Sequence, residues 1–181
     1  MAELAWTPPL AVAAIERDGL RLAAEVPQAQ LLLRLPPDDA AGLELAAAAI
    51  GCRLPVEPNR RLAGDGIYAL WQAPDAWLVV SDLHGREALS GALASALAGR
   101  FAAVSDLTDG LAVIALEGPR APQLLAAGTG LDLALPAGTA AITRFADWRV
   151  RLYRHGGPGR FRLHVERGHA AACWRWLAAL A

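Results

Sequence analysis

The sequence predicts an α+β fold made of two related lobes, each with the element order of a ferredoxin-like, or split β-α-β, unit. Apolar runs of strand length alternate with segments of helical periodicity, and turn residues separate them. The same order of elements also occurs twice along the 181 residues. We therefore predict a single domain over residues 1–181, with lobes at about residues 25–107 and 110–181 and an N-terminal arm at residues 1–24.

The first lobe reads as strand, helix, loop, hairpin, helix and strand. Residues 29–35 form an apolar strand, Asp38 or Asp39 caps the helix that follows, and Gly51 ends that helix. The predicted buried face of the helix consists of Leu43, Ala47 and Ile50. The remaining predicted elements are a loop at 52–65, strands at 67–72 and 76–81, a helix capped by Asp82 and ended by Gly99, and a strand at 101–107.

The second lobe follows the same order up to its final helix. Its predicted elements are a strand at 111–118, a short helix between Pro119 and Gly128, and strands at 140–146, 148–154 and 160–166. The last two strands alternate strictly around the turn "HGGPG", which predicts a half-buried hairpin. The final helix places four residues on its predicted buried face: Cys173, Trp176, Leu177 and Leu180.

The two halves can be laid over one another. "LLLRLPPDDAAGLELAAAAIGCRL" corresponds to "VIALEGPRAPQLLAAGTGLDL", and "ALWQAPDAWLVVSDLHGREALSGAL" corresponds to "RLYRHGGPGRFRLHVERGHAAACWRWLAAL". In this alignment Leu70-Trp71 matches Leu152-Tyr153, and Trp77 matches Phe161. Two copies are too few for a solenoid, so the repeat predicts a pseudo-duplicated domain.

Composition narrows the classes of function. The net charge is −1, which argues against general nucleic-acid binding, and all 17 basic residues are arginine, which GC-rich coding explains. Hydrophobic residues make up 55% of the chain, so we expect it to bury surface against a partner. We find neither a membrane-spanning run nor a signal-peptide pattern, and Cys52 and Cys173 lack metal-type spacing. We therefore expect a cytoplasmic protein.

The sequence lacks the common catalytic motifs. It contains no P-loop, dinucleotide fingerprint, nucleophile elbow or zincin motif. His164 and His169 are the closest histidine pair, but no third ligand accompanies them, and a polar surface role is favoured. For Asp106 and Asp109 in "SDLTDG", chain turning is favoured over acid–base chemistry. We predict no catalytic residue, no cofactor-binding residue and no metal ligand in this chain.

The densest charge lies on the polar face of the second predicted hairpin, which carries Arg149, Arg151, Arg160, Arg162 and His164. A basic sheet face can bind an anionic ligand or an acidic partner surface. It can equally be a solvated face that protects the sheet from aggregation. The alternation of the strands leaves both interpretations open.

Several strings together resemble the gamma subunit of heterotetrameric sarcosine oxidase. They are "PNRRLAG" (58–64), "ALWQAPDAWLVV" (69–80), "VSDLTDGLAVIALEGPRAPQLLAAGTGLDL" (104–133) and the terminal "WRWLAAL". The string Leu-Trp-x-x-Pro-Asp-x-Trp-Leu is the most specific of them. Its structural signature residues are Trp71, Pro74, Asp75 and Trp77. The resemblance covers about residues 25–181.

This resemblance implies a fold and a complex. The gamma subunit is similar in fold to the folate-binding domain of glycine-cleavage aminomethyltransferases, which has two related α+β lobes. The enzyme oxidatively demethylates sarcosine to glycine and passes the one-carbon unit to tetrahydrofolate, with FAD, FMN and NAD on other subunits. The resemblance also implies that this chain binds none of these cofactors and docks on the alpha subunit of an alpha-beta-gamma-delta heterotetramer.

The resemblance also bears on catalysis. In aminomethyltransferases, a strand after the second loop carries an acidic pair that includes the catalytic aspartate. The comparable region here is "FADWRVRLY" (145–153), in which Trp148 and Arg149 follow Asp147 where a second acid is expected. The departure implies an accessory, noncatalytic subunit.

Two function hypotheses follow. As an accessory subunit, the chain would anchor its partner with Trp6, Pro8 and Pro9 of the N-terminal segment. As a free-standing folate-binding or one-carbon-transfer protein, it would direct the four hairpin arginines at the carboxylates of a folate tail. The missing catalytic motifs and the apolar composition favour the first hypothesis.

The signature string itself predicts a hairpin with paired tryptophans. With a loop from Gln72 to Ala76, Trp71 and Trp77 would face each other across the two strands. Such an aromatic pair contributes about 0.5–1.5 kcal/mol beyond its buried area. We interpret the string as a packing element with an edge that can face a partner.

Overall fold

The computed structural model describes residues 6–181 as an α+β protein with two antiparallel sheets. Its strands and helices follow in this order: β1 (Ile15–Arg17), β2 (Leu20–Glu25), β3 (Ala29–Arg34), α1 (Ala40–Ile50), β4 (Arg61–Ala63), β5 (Ile67–Ala73), β6 (Ala76–Ser81), α2 (Arg86–Ala96), β7 (Ala103–Asp106), β8 (Leu111–Glu117), α3 (Ala121–Ala126), β9 (Ala140–Phe145), β10 (Trp148–Arg154), β11 (Arg160–Glu166) and α4 (Arg167–Leu180). The predicted α+β class is confirmed.

The two sheets share one strand order. The five-stranded sheet runs β4-β5-β6-β3-β7, and the six-stranded sheet runs β1-β2-β8-β11-β10-β9. Written from its other edge, the second sheet begins β9-β10-β11-β8, which repeats β4-β5-β6-β3 in the same chain order. The internal repeat read from the sequence therefore has a counterpart in sheet topology.

The fifth position of this order is filled differently in the two sheets. Beside β3 lies β7, which follows α2 in the chain, whereas β2 lies beside β8 and pairs Leu22 with Leu116. Leu20 and Leu22 belong to the hydrophobic core. Residues 1–24 are predicted from the sequence to form an arm, but residues 15–25 contribute two strands to the six-stranded sheet. The second repeat takes its missing strand from this segment.

The chain divides into two compact units. The first unit comprises residues up to Val26, Asp109–Ala134 and Thr143–Ala181, and the second comprises Pro27–Thr108 and Leu135–Ile142. The core of the first unit includes Leu22, Ile114, Leu125, Leu152, Leu163 and Cys173. The core of the second unit includes Leu31, Leu33, Ile50, Trp77, Val79 and Leu93.

The helix faces differ by about one residue from those predicted. Asp39 caps α1 by accepting a hydrogen bond from the Gly42 amide at 2.9 Å, and Gly51 ends it in the left-handed region at φ 66°. The buried face of α1 is Gly42, Ala46 and Ile50. The buried face of α4 is Ala170, Cys173, Trp174 and Leu177, with Leu180 exposed. Apolar periodicity predicts where a helix lies along the chain more precisely than which of its faces is buried. Alanine and glycine are found both in cores and on surfaces, so they do not mark the buried face.

Two local predictions in the second unit are wrong. Helix α2 begins after Gly85 without a side-chain cap, and Asp82 instead accepts a hydrogen bond from the Tyr68 hydroxyl. Ser81 Oγ accepts hydrogen bonds from the amides of Leu83 and His84, at 3.2 and 2.8 Å, in the turn that precedes α2. The predicted loop at 52–65 contains the short edge strand β4, which pairs with β5.

Candidate functional site

The polar residues of the β10–β11 hairpin form a layer on one face of the six-stranded sheet. Val150 and Leu152 enter the core, as the strict alternation predicts, while Tyr153 and Arg151 lie on the opposite face. Across the strands, Tyr153 is in register with Arg162, and Arg151 is in register with His164. The alternation and the "HGGPG" turn are confirmed, since His155 N donates to Arg160 O across the hairpin at 2.9 Å.

Much of this layer is buried, which contradicts the prediction of an exposed face. Arg162 is 7% exposed and His164 is fully buried. Arg162 Nε lies 2.5 Å from Glu25 Oε2, so the desolvated guanidinium has a carboxylate partner from the N-terminal strand β2. Ala115, which is in register with Arg162 and with Ala23, leaves room for these long side chains in the layer.

Tyr153 and His164 form a neutral pair within the layer. The Tyr153 hydroxyl and His164 Nε2 are 2.9 Å apart and share a hydrogen bond, and the ring centroids are 5.5 Å apart. Burial, with further contributions from the charges of Arg151 and Arg162, holds the pKa of His164 well below its usual range. The imidazole is therefore neutral at physiological pH. A neutral, fully buried histidine paired with a buried tyrosine acts as a structural hydrogen-bond partner.

At the rim of the layer, Glu117 joins two arginines. Its Oε1 accepts hydrogen bonds from Arg160 Nε and a terminal nitrogen, at 3.0 and 2.6 Å, and its Oε2 lies 3.3 Å from Arg21. The hydrogen bond from Arg160 lowers the pKa of Glu117. With Arg162 bound to Glu25, two of the four arginines proposed to meet an anion already have carboxylate partners within this unit.

Asp147, the remaining acid of the region compared with aminomethyltransferases, lies on the turn between β9 and β10. Its side chain is 84% exposed, and its Oδ1 is 3.0 Å from Arg144. The preceding Ala146 has a φ of 47°, as a tight turn requires. An exposed aspartate in a local ion pair lacks the burial that tunes a carboxylate for acid–base chemistry.

The other candidate acids and histidines lie in surroundings that give no sign of a catalytic or metal site within residues 6–181. Asp106 Oδ1 accepts a hydrogen bond from the Thr108 amide at 2.8 Å, which agrees with the chain-turning interpretation. His164 is buried in the sheet, whereas His169 is exposed on α4. Over residues 6–181, no group of three histidine, cysteine, aspartate or glutamate side chains is arranged to hold a metal ion.

The segment predicted to anchor a partner lies against the first unit. Trp6 Nε1 donates to Asp109 Oδ1 at 2.8 Å, and Arg167 donates to the carbonyl and hydroxyl oxygens of Thr7 at 3.3 Å. Pro8 and Pro9 are half-buried. Trp6 nevertheless remains 57% exposed, so its indole is held in place with much of its ring surface open.

The signature hairpin has a tighter loop than predicted. Trp71 and Trp77 are in register across β5 and β6, but the strands close around Pro74 and Asp75 with an irregularity between Trp71 and Ala73. Trp77 is 1% exposed and donates Nε1–H to the Pro55 carbonyl at 2.7 Å, while Trp71 is half-buried. The Asp75 carbonyl accepts a hydrogen bond from the Leu35 amide at 3.1 Å, which ties the turn to the end of β3.

Sequence reasoning treated residues 53–62 as a plain loop, and we name them the arginine loop. Arg53, Arg60 and Arg61, together with Val56, Glu57 and Leu62, line an open cleft of about 370 Å³. The sequence signal for this cleft is the adjacent pair Arg60 and Arg61 in "PNRRLAG". Arg61 lies over the Tyr68 ring, with its guanidinium carbon 5.3 Å from the ring centroid.

Several large apolar side chains are exposed. Phe101 is 91% exposed, Val56 72%, Leu83 59% and Val26 50%. Next to the edge strand β7 lies a cleft of about 320 Å³. Phe101 lines this cleft together with Leu35, Pro36 and Ala102. Within residues 6–181, no helix has both the length and the hydropathy to cross a membrane.

Comparison with known proteins agrees with the resemblance seen in the motifs. The model of the sarcosine oxidase, gamma subunit family matches residues 37–181. The chain is 34% identical over 120 residues to the sarcosine oxidase subunit gamma of Arthrobacter sp, an alignment that covers 64% of this chain. The chain spans 58% of the length of that relative.

Two of the solved structures that the chain resembles bear on its family and its fold. A chain of the heterotetrameric sarcosine oxidase from Corynebacterium sp. U-96, in complex with pyrrole 2-carboxylate, is 28% identical with a TM-score of 0.80. That match covers 87% of this chain and 81% of the other. The glycine cleavage system aminomethyltransferase T of Bartonella henselae is 18% identical with a TM-score of 0.65, covering 89% and 46%, and so shares the fold. Because the family model spans most of the chain and includes the strings "PNRRLAG" and "ALWQAPDAWLVV", this protein belongs to the sarcosine oxidase, gamma subunit family.

Proposed function

We propose that this chain is an accessory, noncatalytic gamma subunit of a heterotetrameric sarcosine oxidase. The family match over residues 37–181 carries the proposal. The likeness to a chain of a heterotetrameric sarcosine oxidase supports the same assembly. In this proposal the complex demethylates sarcosine to glycine and transfers the one-carbon unit to tetrahydrofolate, while FAD, FMN and NAD belong to the other subunits.

The noncatalytic role is supported by the state of the candidate residues. Asp147 is exposed and paired with Arg144, and His164 is neutral and buried. The buried His164 imidazole has no access to a substrate, and the Asp147 carboxylate lies in a solvent-exposed turn instead of a substrate pocket. The role proposed for the chain is therefore to bind and position another subunit.

The exposed apolar residues favour a partner-binding role. Phe101 and Val56 are both more than two-thirds exposed, and aromatic side chains at protein surfaces are often binding hot spots. In the proposed assembly these residues, with Trp6, contact the alpha subunit. In this assembly, apolar side chains that are exposed in the isolated chain would be buried against another subunit.

The pairing of two of the four hairpin arginines counts against a folate site on this face of the sheet. A folate tail presents carboxylates, but Arg160 and Arg162 already bind Glu117 and Glu25. Isothermal titration of the isolated chain with tetrahydrofolate tests the free-standing alternative. Heat that saturates at micromolar ligand would favour that alternative, and no heat at millimolar ligand would count against it.

The proposed assembly is tested by co-expressing the tagged chain with the alpha, beta and delta subunits of its own organism. We expect all four to elute together in size exclusion and the complex to oxidise sarcosine. Omitting this chain should reduce the yield of assembled complex. Separate elution of this chain from a fully assembled, active enzyme would refute the proposed function.

A further inference from the structure

We propose that the arginine loop is a docking surface for an acidic, extended segment of a partner chain. The inference rests on the proposed function, since it names the chemistry of one contact between this subunit and the assembly. It depends on three properties of the loop: its backbone is held by hydrogen bonds, its charge is positive, and an exposed apolar side chain lines the same cleft.

The backbone of the loop is held from two sides. On one side, Trp77 Nε1 donates to the Pro55 carbonyl at 2.7 Å, and the Trp71 amide donates to the Arg60 carbonyl at 3.0 Å. On the other side, the Arg61 amide donates to Gly138 O at 2.7 Å, and the Ala140 amide donates to Asn59 O at 2.9 Å. A loop held in this way loses little conformational entropy when a ligand binds.

One residue of the loop has an unfavourable backbone conformation. Asn59 has a φ of 58°, in the left-handed region that few residues other than glycine adopt. Asparagine tolerates this region better than most residues. Such conformations persist where surrounding contacts enforce them and are found preferentially at functional sites.

The side chains along the loop are basic and apolar. Its cleft is lined by three arginines and one acid, Glu57, which leaves a formal excess of two positive charges. Arg60 is half-exposed even though it pairs with Glu57 at 2.9 Å, and an exposed pair of this kind is weak enough to exchange partners. Val56, 72% exposed, and Leu62, 38% exposed, line the same cleft as the arginines.

These features favour a peptide over other anions. Guanidinium groups bind carboxylates in planar, bidentate pairs, and the exposed Val56 in the same cleft provides an apolar contact for a peptide side chain. A small inorganic anion would leave Val56 and Leu62 exposed. The overall net charge of −1 gives no long-range attraction for nucleic acid. A cleft of about 370 Å³ holds a few side chains of an extended segment.

Charge reversal tests the electrostatic part of this inference. The double variant Arg53→Glu/Arg60→Glu leaves Arg61, whose backbone belongs to β4, unchanged. We expect the dissociation constant for the co-purified partner subunits to rise about tenfold or more, because like charges then face each other. Arg175→Glu, an exposed arginine on α4, is the matched control and should bind as the unaltered chain does. Unchanged binding by the double variant would overturn the inference.

Photocrosslinking identifies the occupant. A benzophenone amino acid at position 56, in the co-expressed complex, is irradiated, and the linked peptide is mapped by mass spectrometry. A crosslink to an aspartate- or glutamate-rich segment of another subunit supports the inference. A crosslink to a basic or uncharged segment, to nucleic acid, or to a second copy of this chain overturns it.

The outcomes separate this inference from the proposed function. If the unaltered chain assembles and the position-56 variant crosslinks to nothing, the docking surface is wrong and the proposed subunit role stands. If the unaltered chain does not assemble with the other subunits, the proposed subunit role is refuted, and the docking surface that rests on it is refuted as well.

Discussion

Trp77 illustrates how one residue of the signature string holds two parts of the second unit together. Its indole is almost fully buried in the core, and its N–H satisfies the carbonyl of Pro55 in the arginine loop. Trp71, its cross-strand partner, is only half-buried. The two tryptophans of the string therefore contribute unequally to the stability of the second unit, although they lie at equal distances from Pro74 of the turn in the sequence.

We predict that Trp77→Phe lowers the free energy of unfolding by about 2–4 kcal/mol, because it removes buried volume and leaves the Pro55 carbonyl without its donor. Urea unfolding followed by circular dichroism measures this change. Trp71→Phe is the matched control, with an expected loss below about 1 kcal/mol. Equal losses for the two variants would contradict the unequal roles.

Glu117 gives a pH-dependent prediction. Hydrogen bonds from Arg160 lower its pKa from the ordinary 4.5, so its charged form stabilises the fold above that value. The contribution is lost as the pH falls through the lowered pKa. We expect Glu117→Gln to be less stable than the unaltered chain by about 0.5–1 kcal/mol at pH 7.

This difference should narrow progressively below pH 4.5, as Glu117 takes up a proton in the unaltered chain. Urea titrations at a series of pH values measure it. Glu44→Gln, on the exposed side of α1, is the control and should change stability little. A deficit that stays constant down to the lowest pH would show that the Arg160–Glu117 pair is not its cause.

At the scale of elements, the N-terminal strands complete the six-stranded sheet. Strand β2 pairs with β8, places Leu22 in the core, and carries Glu25 to Arg162. Removing β2 would expose the edge of β8 and leave the buried Arg162 guanidinium without its carboxylate. Both consequences destabilise the first unit, so this segment is an integral part of the fold.

We predict that Leu22→Ala lowers the free energy of unfolding by about 2–5 kcal/mol, the usual cost of truncating a fully buried leucine. Val12→Ala, 36% exposed just before β1, should cost less than about 0.5 kcal/mol. Thermal unfolding of the two variants compares them directly. A similar small loss for both would mean that β2 is not part of the cooperative core.

The segment before β1 has a different expected role. Trp6 is tied to Asp109 but keeps more than half of its surface exposed. We predict that Trp6→Ala weakens assembly with the partner subunits by about 2 kcal/mol, as loss of an aromatic hot spot does, and leaves the buried Leu10 in place. Competition pull-down measures the change. Asp109→Asn, which removes the charge but keeps an acceptor for the indole, is the control and should assemble as the unaltered chain does. Assembly unaffected by Trp6→Ala would contradict the role.

At the scale of the whole molecule, the two cores bury only part of the large apolar side chains, and several stay exposed. Phe101 remains 91% exposed beside the open edge strand β7. Isolated apolar residues are normal on a surface, but a phenylalanine exposed to this degree beside a cleft is typical of an interface. We therefore predict that Phe101 belongs to the surface that the chain buries against a partner.

We predict that Phe101→Ser leaves the free energy of unfolding of the isolated chain within about 0.5 kcal/mol of the original, because the ring makes few contacts. The same change should weaken assembly with the partner subunits about tenfold. Thermal unfolding and competition pull-down measure the two effects separately. A variant that loses stability but assembles normally would contradict this assignment.

The sequence by itself determined the α+β class, the hairpins and the family. Strict alternation in 148–154 and 160–166 reports a two-residue period that neighbouring elements cannot alter, and Asp39 and Gly51 end α1 through contacts within a few residues. The strings "PNRRLAG" and "ALWQAPDAWLVV" carried the family assignment, which the family match confirms. These features depend on local interactions, so local patterns predict them.

Only the tertiary structure decided which strand completes the second repeat and which polar residues are buried. Arg162 and Arg149 look alike in an alternating strand, yet one is buried with Glu25 and the other is exposed. That difference depends on a glutamate 137 positions earlier in the chain and on the small Ala115 in the strand between them. Burial is set by neighbours brought together from distant segments, and no short-range pattern in the sequence records them.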